Sequence, residues 1–425
     1  MKNINVGFAG MTHLGLVSAI SATEKGVSVI CFDQNTELID LLSAGKLPVS
    51  EPKLGELLIK NRGRISFTSE IDLLTRCDVV YVAPDIPTNS AGTSELTALD
   101  DLLELVLSGV SQETVIVLLS QVPPGYARTK AVKHKNFYYQ VETLIFGRAV
   151  DRALFPERYI IGTHNPELEL PEKWLYFLEL HECPIIKMKF ESAELAKIAI
   201  NMYLVSSVVT TNVLAEICEK IGAEWREISP ALKLDKRIGE YAYLSPGLGI
   251  AGGNLERDLA TVQSIASNKG TDDMVVGSWK RNSQYRKDWP LRFLHKNIFP
   301  GNKNPVIGVL GLAYKPETHS IKNSPAIMLI DGLQNITLKC YDPVVKKLDR
   351  DIPNLTICQT SYEVCSDVDI LIIMTAWSEF SSLSLFKIRE LMRGSWILDP
   401  YGVLPMTEAI SLDFKYARLG SAHEV

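Results

Sequence analysis

Glu194, Lys197 and Asn201 stand at i, i+3 and i+7 in the run ESAELAKIAINMYLVSSVVTTNVLAEICEKIG, which begins at Glu191 and stops at Gly222. That spacing places the three side chains on one face of a helix of roughly eight turns. Nearly all neighbouring positions are apolar, so the Lys197 ammonium must pair, snorkel or lose its proton more easily than a solvated lysine. Such a lysine is a candidate catalytic group, and an ion pair with Glu194 is the structural alternative. A second chemical feature is PGLGIAGGNLERD, residues 246 to 258. This glycine-rich stretch lets backbone approach a ligand closely and ends in an acid, Asp258. A third is GMTHLG, Gly10 to Gly15, with Asp33 23 residues after Gly10.

The elements around these residues follow from local pattern. INVGFA reads as a strand, followed by the glycine turn, a helix to about Lys25, Gly26, and a second strand VSVICF that ends at Asp33. Strand, glycine turn, helix, strand and acid is the order that binds a dinucleotide. Amides at the helix N-terminus meet the pyrophosphate, and the acid holds the ribose hydroxyls, favouring NAD over NADP. Gly10, Thr12, Gly15 and Asp33 are therefore cofactor-binding candidates. Thr12 stands where the middle glycine belongs, so its β-carbon crowds the phosphate while its hydroxyl is free to donate. DVVYVAP, TVIVLLS and RYIIG supply further strands of a parallel sheet. The loops after them, 84 to 92 and 120 to 125, should rim the cofactor site and bring Pro84, Ser120 and Gln121 to it.

The order repeats near the C-terminus. PVIGVLGLAYKP is strand and glycine turn, SPAIMLIDGL is helix, and ITLKCYDP is a strand ending at Asp342, with VDILIIMT and SWILD as further strands. The fold class expected is α/β: two Rossmann-like doubly wound parallel-sheet domains joined by a long central helix and a helical middle domain. The expected division is residues 1–190, 191–300 and 301–425. Lys315 lies in the loop after the last domain's first strand, placed to neutralise a phosphate.

Charged residues make up 22% of the chain and the net charge is −6, giving no reason to expect nucleic acid or an anionic membrane as partner. The basic run Lys280 to Lys296 reads as a solvated helix face or linker. The seven cysteines are scattered without CxxC spacing and read as reduced core residues, with no metal cluster. The N-terminus reads as strand, turn and helix rather than as a leader peptide, because polar residues interrupt its apolar region. The uncharged stretch Ile198 to Ala215 carries six Asn, Ser and Thr residues and suits a buried helix better than a membrane span. A cytoplasmic protein is expected.

In this order the pieces resemble the UDP-glucose/GDP-mannose dehydrogenase family, nucleotide-sugar dehydrogenases that oxidise the sugar C6 alcohol to a carboxylate with two NAD. The resemblance runs nearly end to end. It includes GMTHLG with Asp33, GKLPVSEPKL, SQVPPG, ETLIFGRAVDRALFPERYIIG, the Glu-x-x-Lys-x-x-x-Asn helix pattern, DKRIG, GLAYKPETHSIKNSPA, TAWSEF and YARLG. It implies that Lys197 and Asn201 hold the C6 oxygen and a water, that Asp258 assists as acid or base, and that Glu142 is the acid of thioester hydrolysis. It also implies that Arg237 reaches the neighbouring subunit's site in a homodimer built on the central helix. Lys315 contacts the nucleotide sugar, with Tyr243 and Gly249 as further substrate-binding positions. Polysaccharide biosynthesis is the implied setting.

Departures accompany the resemblance. Gln121 replaces a threonine near the nicotinamide, His319 and Ser320 replace an acidic pair, and Lys322 replaces an arginine. The family pattern Gly-Gly-Ser-Cys-x-Pro-Lys-Asp falls on residues 251 to 258, so the nucleophilic cysteine position is Asn254. An aldehyde loses hydride readily only after a nucleophile adds to it, and a carboxamide is no such nucleophile at neutral pH. Three outcomes stay open on sequence: a two-electron oxidation, full oxidation through the aldehyde hydrate with Glu142 or Asp258 as base, or a silent paralogue that binds nucleotide sugar or NAD.

Overall fold

The computed structural model describes residues 4–89 and 92–422, so Ser90 and Ala91 of the expected 84–92 loop lie outside the described residues. The chain forms two compact units, residues 1–200 and 201–425. The first is built on eight strands: β1 (Asn5–Ala9), β2 (Ser28–Phe32), β3 (Ile65–Thr68), β4 (Val79–Val82), β5 (Val115–Leu118), β6 (Phe137–Gln140), β7 (Tyr159–Thr163) and β8 (Ile185–Lys189). Their spatial order is β3-β2-β1-β4-β5-β6-β7-β8. The order reverses between β1 and β4, and at that switch point the loops after both strands open side by side. Successive residues feed opposite faces: Val79 and Tyr81 enter one core cluster, Val80 and Val82 another. A strand buried on both faces must be apolar throughout, as VVYV and VIVL are.

Two strands, β7 and β8, depart from the expected all-parallel sheet. β7 runs antiparallel to β6, with Tyr139 opposite Gly162, and β8 then pairs parallel with β7. The only α-helix in the link is Ala149–Leu154, six residues. Its length of about 9 Å is too short to carry the chain back along β6 for a parallel crossover.

The second unit holds a six-stranded parallel sheet of β9 (Val306–Leu310), β10 (Thr337–Tyr341), β11 (Leu355–Ile357), β12 (Ile370–Ile373), β13 (Trp396–Leu398) and β14 (Lys415–Ala417), in the order β11-β10-β9-β12-β13-β14. The turn after β9 repeats the one after β1. Gly311 has φ +95°, and a β-carbon there would lie 2.5 Å from Thr375. The fully buried Asp342 at the end of β10 is saturated by protein donors. One carboxylate oxygen accepts from Leu312 N, Ala313 N and Trp377 Nε1, and the other from Val344 N and Val345 N.

Two expectations are met in part. The helix Phe190–Ile221 contains an 18-residue window apolar enough to cross a membrane by length and composition (mean hydropathy 1.5), and 33% of that window is buried. Ile198, Val205, Val209, Asn212 and Ala215 are buried on it, while Leu195, Tyr203, Val213, Leu214, Ile217 and Ile221 are exposed. The basic run 280–296 is a solvated face only in part, with Lys280, Arg281 and Lys296 exposed. It forms the helices Met274–Lys287 and Trp289–Asn297 and buries Arg286 and Lys287. Arg286 lies 3.3 Å from Glu216 and 3.5 Å from Glu219, and Lys287 Nζ lies 2.9 Å from Glu256. Burial makes the pairing obligatory, because an unmatched guanidinium here would be desolvated without compensation. Glu219 also accepts from Gly420 N at 3.0 Å, tying the chain's last segment to the long helix. Arg286→Ala, which leaves two carboxylates facing a cavity, should cost about 3–5 kcal/mol in urea unfolding. A loss below 1 kcal/mol would mean that the buried triad is not a structural tie.

Candidate functional site

The glycine turn of the first unit is shaped as a phosphate site. Gly10 has φ +94° and a β-carbon there would sit 2.9 Å from Pro84 N, while one on Gly15 would sit 1.9 Å from Gly10 O. The helix His13–Glu24 starts immediately after, with Thr12 as its N-cap residue. Asp33 accepts from Met11 N at 2.7 Å and Asn35 N at 2.9 Å and remains partly open to solvent, unlike its counterpart Asp342. Ser120 Oγ donates to Pro84 O at 2.5 Å, joining the loops after β5 and β4. Gln121 is half-buried beside it. The Thr12 hydroxyl oxygen accepts from Asp85 N at 2.7 Å. A cradle closed to any β-carbon at Gly10 and Gly15, with a half-open acid on the next strand, fits the pyrophosphate and ribose of NAD.

Lys197 pairs with Glu142, not with Glu194. Its Nζ lies 3.1 Å from Glu142 Oε2, and the side chains are 14% and 17% exposed. Glu142 follows β6 and borders a pocket lined also by Tyr81, Gln140, Arg152, Tyr159 and His181. Glu194 is buried and accepts from Gly125 N and Ala127 N, at 2.5 and 2.6 Å, so it secures the start of the helix Tyr126–Ala131. Burial raises its pKa to about 7, although the two amide hydrogen bonds pull the other way. Sequence reasoning gave no role to Glu51, in GKLPVSEPKL. Its buried carboxylate accepts from Gly147 N and Ala149 N and meets His13 Nε2 at 2.8 Å, so one acid links the glycine turn to the segment that carries Glu142. An acid in an otherwise loop-like stretch was the only signal.

In the second unit Asn201 Nδ2 donates to Asp258 Oδ2 at 2.5 Å, and Arg257 Nε lies 3.5 Å from the other oxygen. The expected loop 246–258 ends earlier than its glycine content implied. Asn254 opens the helix Asn254–Lys269, and Asp258 lies one turn on, buried where Asn254 is exposed. The glycines before it are set by packing. A β-carbon on Gly249 would lie 2.4 Å from Ser283 O, and one on Gly252 2.7 Å from the Tyr314 ring. Lys315 Nζ is 5.8 Å from the Tyr314 ring centroid. Tyr243 is half exposed and its carbonyl accepts from Thr211. Arg237 is exposed and forms an ion pair with Asp235 at 2.6 Å. Among the described residues no three His, Cys, Asp or Glu side chains are grouped to hold a metal.

Comparison with known proteins decides the family. Three models of the UDP-glucose/GDP-mannose dehydrogenase family match: its NAD binding domain over residues 4–178, its central domain over 191–283 and its UDP binding domain over 308–406. The chain belongs to the UDP-glucose/GDP-mannose dehydrogenase family. As such it is an NAD-dependent nucleotide-sugar dehydrogenase, and the glycine turn and Asp33 lie in its NAD-binding domain. A UDP-glucose 6-dehydrogenase of Rickettsia bellii is 30% identical over 433 residues, covering 98% of this chain and all of that protein. The fold is shared with a UDP-glucose dehydrogenase from Pyrobaculum islandicum (TM-score 0.84, 23% identity, 99% of this chain and 98% of that one). It is shared as well with a UDP-D-ManNAc dehydrogenase from Pyrococcus horikoshii (TM-score 0.81, 21% identity, 98% and 99%).

The Glu194 environment predicts an inverted pH effect. Its pKa is near 7 folded, against 4.5 in the unfolded chain, so the folded state holds the extra proton between those values. Stability from this group is therefore present below about 4.5 and is lost as pH rises toward 7. In melts across pH 4.5 to 8, Glu194→Gln should gain on the wild type as pH rises through that window. A constant difference between the two would show that the two amides hold the carboxylate charged throughout.

Proposed function

We propose that the chain oxidises the C6 alcohol of a UDP-linked sugar by one two-electron step, with the aldehyde as product. The observation that carries this reading is Asn254, an exposed amide at the first residue of a helix, one turn before Asp258. Alignment of the family's Gly-Gly-Ser-Cys-x-Pro-Lys-Asp pattern puts the thiol at this position. No other thiol in the chain is suited to replace it. All seven cysteines are free; burial pushes Cys77, Cys340 and Cys365 up to about 12, and Cys31, Cys183, Cys218 and Cys358 above their ordinary value. Thiols held protonated are poor nucleophiles.

When bound, NAD accepts the hydride. What the chain contributes is orientation and proton handling. The Lys197 ammonium stabilises negative charge growing on the C6 oxygen, and Glu142 keeps that ammonium in place. The Asn201 amide holds the same oxygen, its orientation fixed by Asp258, and Asp258 takes part as acid or base. Asn254 hydrogen-bonds an aldehyde oxygen but does not add to its carbon. Lys315, Tyr243, Gly249 and Arg237 complete the substrate-binding set, Arg237 acting in the neighbouring subunit's site. The exposed apolar side of the helix Phe190–Ile221 is the face on which we place a homodimer, in a cytoplasmic enzyme of polysaccharide biosynthesis. The functional division is NAD-binding 1–190, central 191–300 and nucleotide-sugar-binding 301–425. A second reading, full oxidation through the aldehyde hydrate, draws on Glu142 as base and is supported by its place next to Lys197.

Lys197→Ala should lower kcat about 10²- to 10⁴-fold with UDP-sugar and NAD, with a smaller change in KM. Asn254→Cys should make the enzyme release the uronic acid. An active Asn254→Cys enzyme that forms no more acid than the wild type would remove Asn254 from the reacting carbon.

A further inference from the structure

We propose that Asp85 sets the affinity of this chain for NAD by occupying, in the free protein, the place of the cofactor's pyrophosphate. The proposal rests on the NAD-binding assignment and concerns residues to which the family comparison gives no role. Asp85 Oδ2 accepts from Leu14 N at 3.3 Å, and Asp85 N donates to Thr12 Oγ1 at 2.7 Å. Leu14 N is the second amide of the helix His13–Glu24, one of the donors that a dinucleotide pyrophosphate takes at such a turn. The turn therefore offers its amide to a carboxylate of its own chain.

The geometry that places this carboxylate is not incidental to the loop. Pro84 is clamped between Gly10, where no β-carbon fits, and the Ser120 hydroxyl at 2.5 Å, so the residue after it leaves in a fixed direction. Thr12 then anchors that residue's amide. With glycine at position 12 the anchor would be missing, so Thr12 and Asp85 act as one device at the turn. Asp85 is exposed, free to leave when a better anion arrives. Of the titratable groups at the turn, His13 faces the buried Glu51, and Asp33, engaged by Met11 N and Asn35 N, is a second acid. A bound pyrophosphate must displace the carboxylate from Leu14 N and sit close to a like charge, which weakens binding.

The test is calorimetric titration of the full-length protein at low salt, comparing wild type, Asp85→Asn and Asp85→Ala with NAD, ADP, adenosine and, as a control for folding, UDP. Both variants should bind NAD and ADP on the order of tenfold more tightly. Adenosine, which lacks the pyrophosphate, should bind all three proteins alike. The gap should narrow as sodium chloride is raised, because the repulsion is screened. Free Asp85→Ala should also melt slightly earlier than wild type, having lost an acceptor at a helix N-terminus. Equal or weaker NAD binding by both variants would overturn the role of Asp85. Absence of NAD binding in all three proteins, with UDP still bound, would instead overturn the cofactor assignment and the proposal with it.

Discussion

Lys197 lies on an apolar stretch of helix, and the carboxylate that meets it comes from 55 residues earlier in the chain. The pair Lys197–Glu142 is mostly shielded from water, so breaking it leaves either ion poorly solvated. Its geometry in turn depends on two further buried acids. Glu51 holds the segment after Glu142 through the amides of Gly147 and Ala149, and Glu194 holds the amides of Gly125 and Ala127 on the next loop. Three carboxylates thus fix the loops around one ammonium, each satisfied by backbone donors or by a cation. That arrangement holds the lysine beside Glu142, the fixed placement that the proposed role of orienting a reacting oxygen would require.

Both sheets use the same glycine turn and second-strand acid, but with different outcomes. Asp342 is filled by five protein donors and serves the loop it closes. Asp33 takes only two backbone amides and keeps solvent access, so it alone retains lone pairs for a ribose. Duplication of a local plan therefore does not duplicate its function; the neighbours of the acid decide.

Much of this was legible in the sequence where the cause is local. The turns at Gly10 and Gly311, the acids after the second strands and the helix carrying Lys197 follow from short-range spacing. What escaped follows from contacts distant in the chain. Glu142 as the partner of Lys197, rather than Glu194 three residues away, depends on where β6 ends. The short strands β3, β6, β8, β11 and β14 carry polar residues and are made strands by their neighbours' edges rather than by their own pattern. The density of glycine hid the helix that begins at Asn254, and the charge of Arg286 and Lys287 hid the glutamates that bury them.

The single hydride transfer proposed for this nucleotide-sugar dehydrogenase follows from the absence of a thiol at position 254. Counting NADH formed per UDP-sugar consumed, with the product identified by mass, tests this most directly. One NADH and an aldehyde is the predicted result. Two NADH and a uronic acid from the unaltered protein would contradict it.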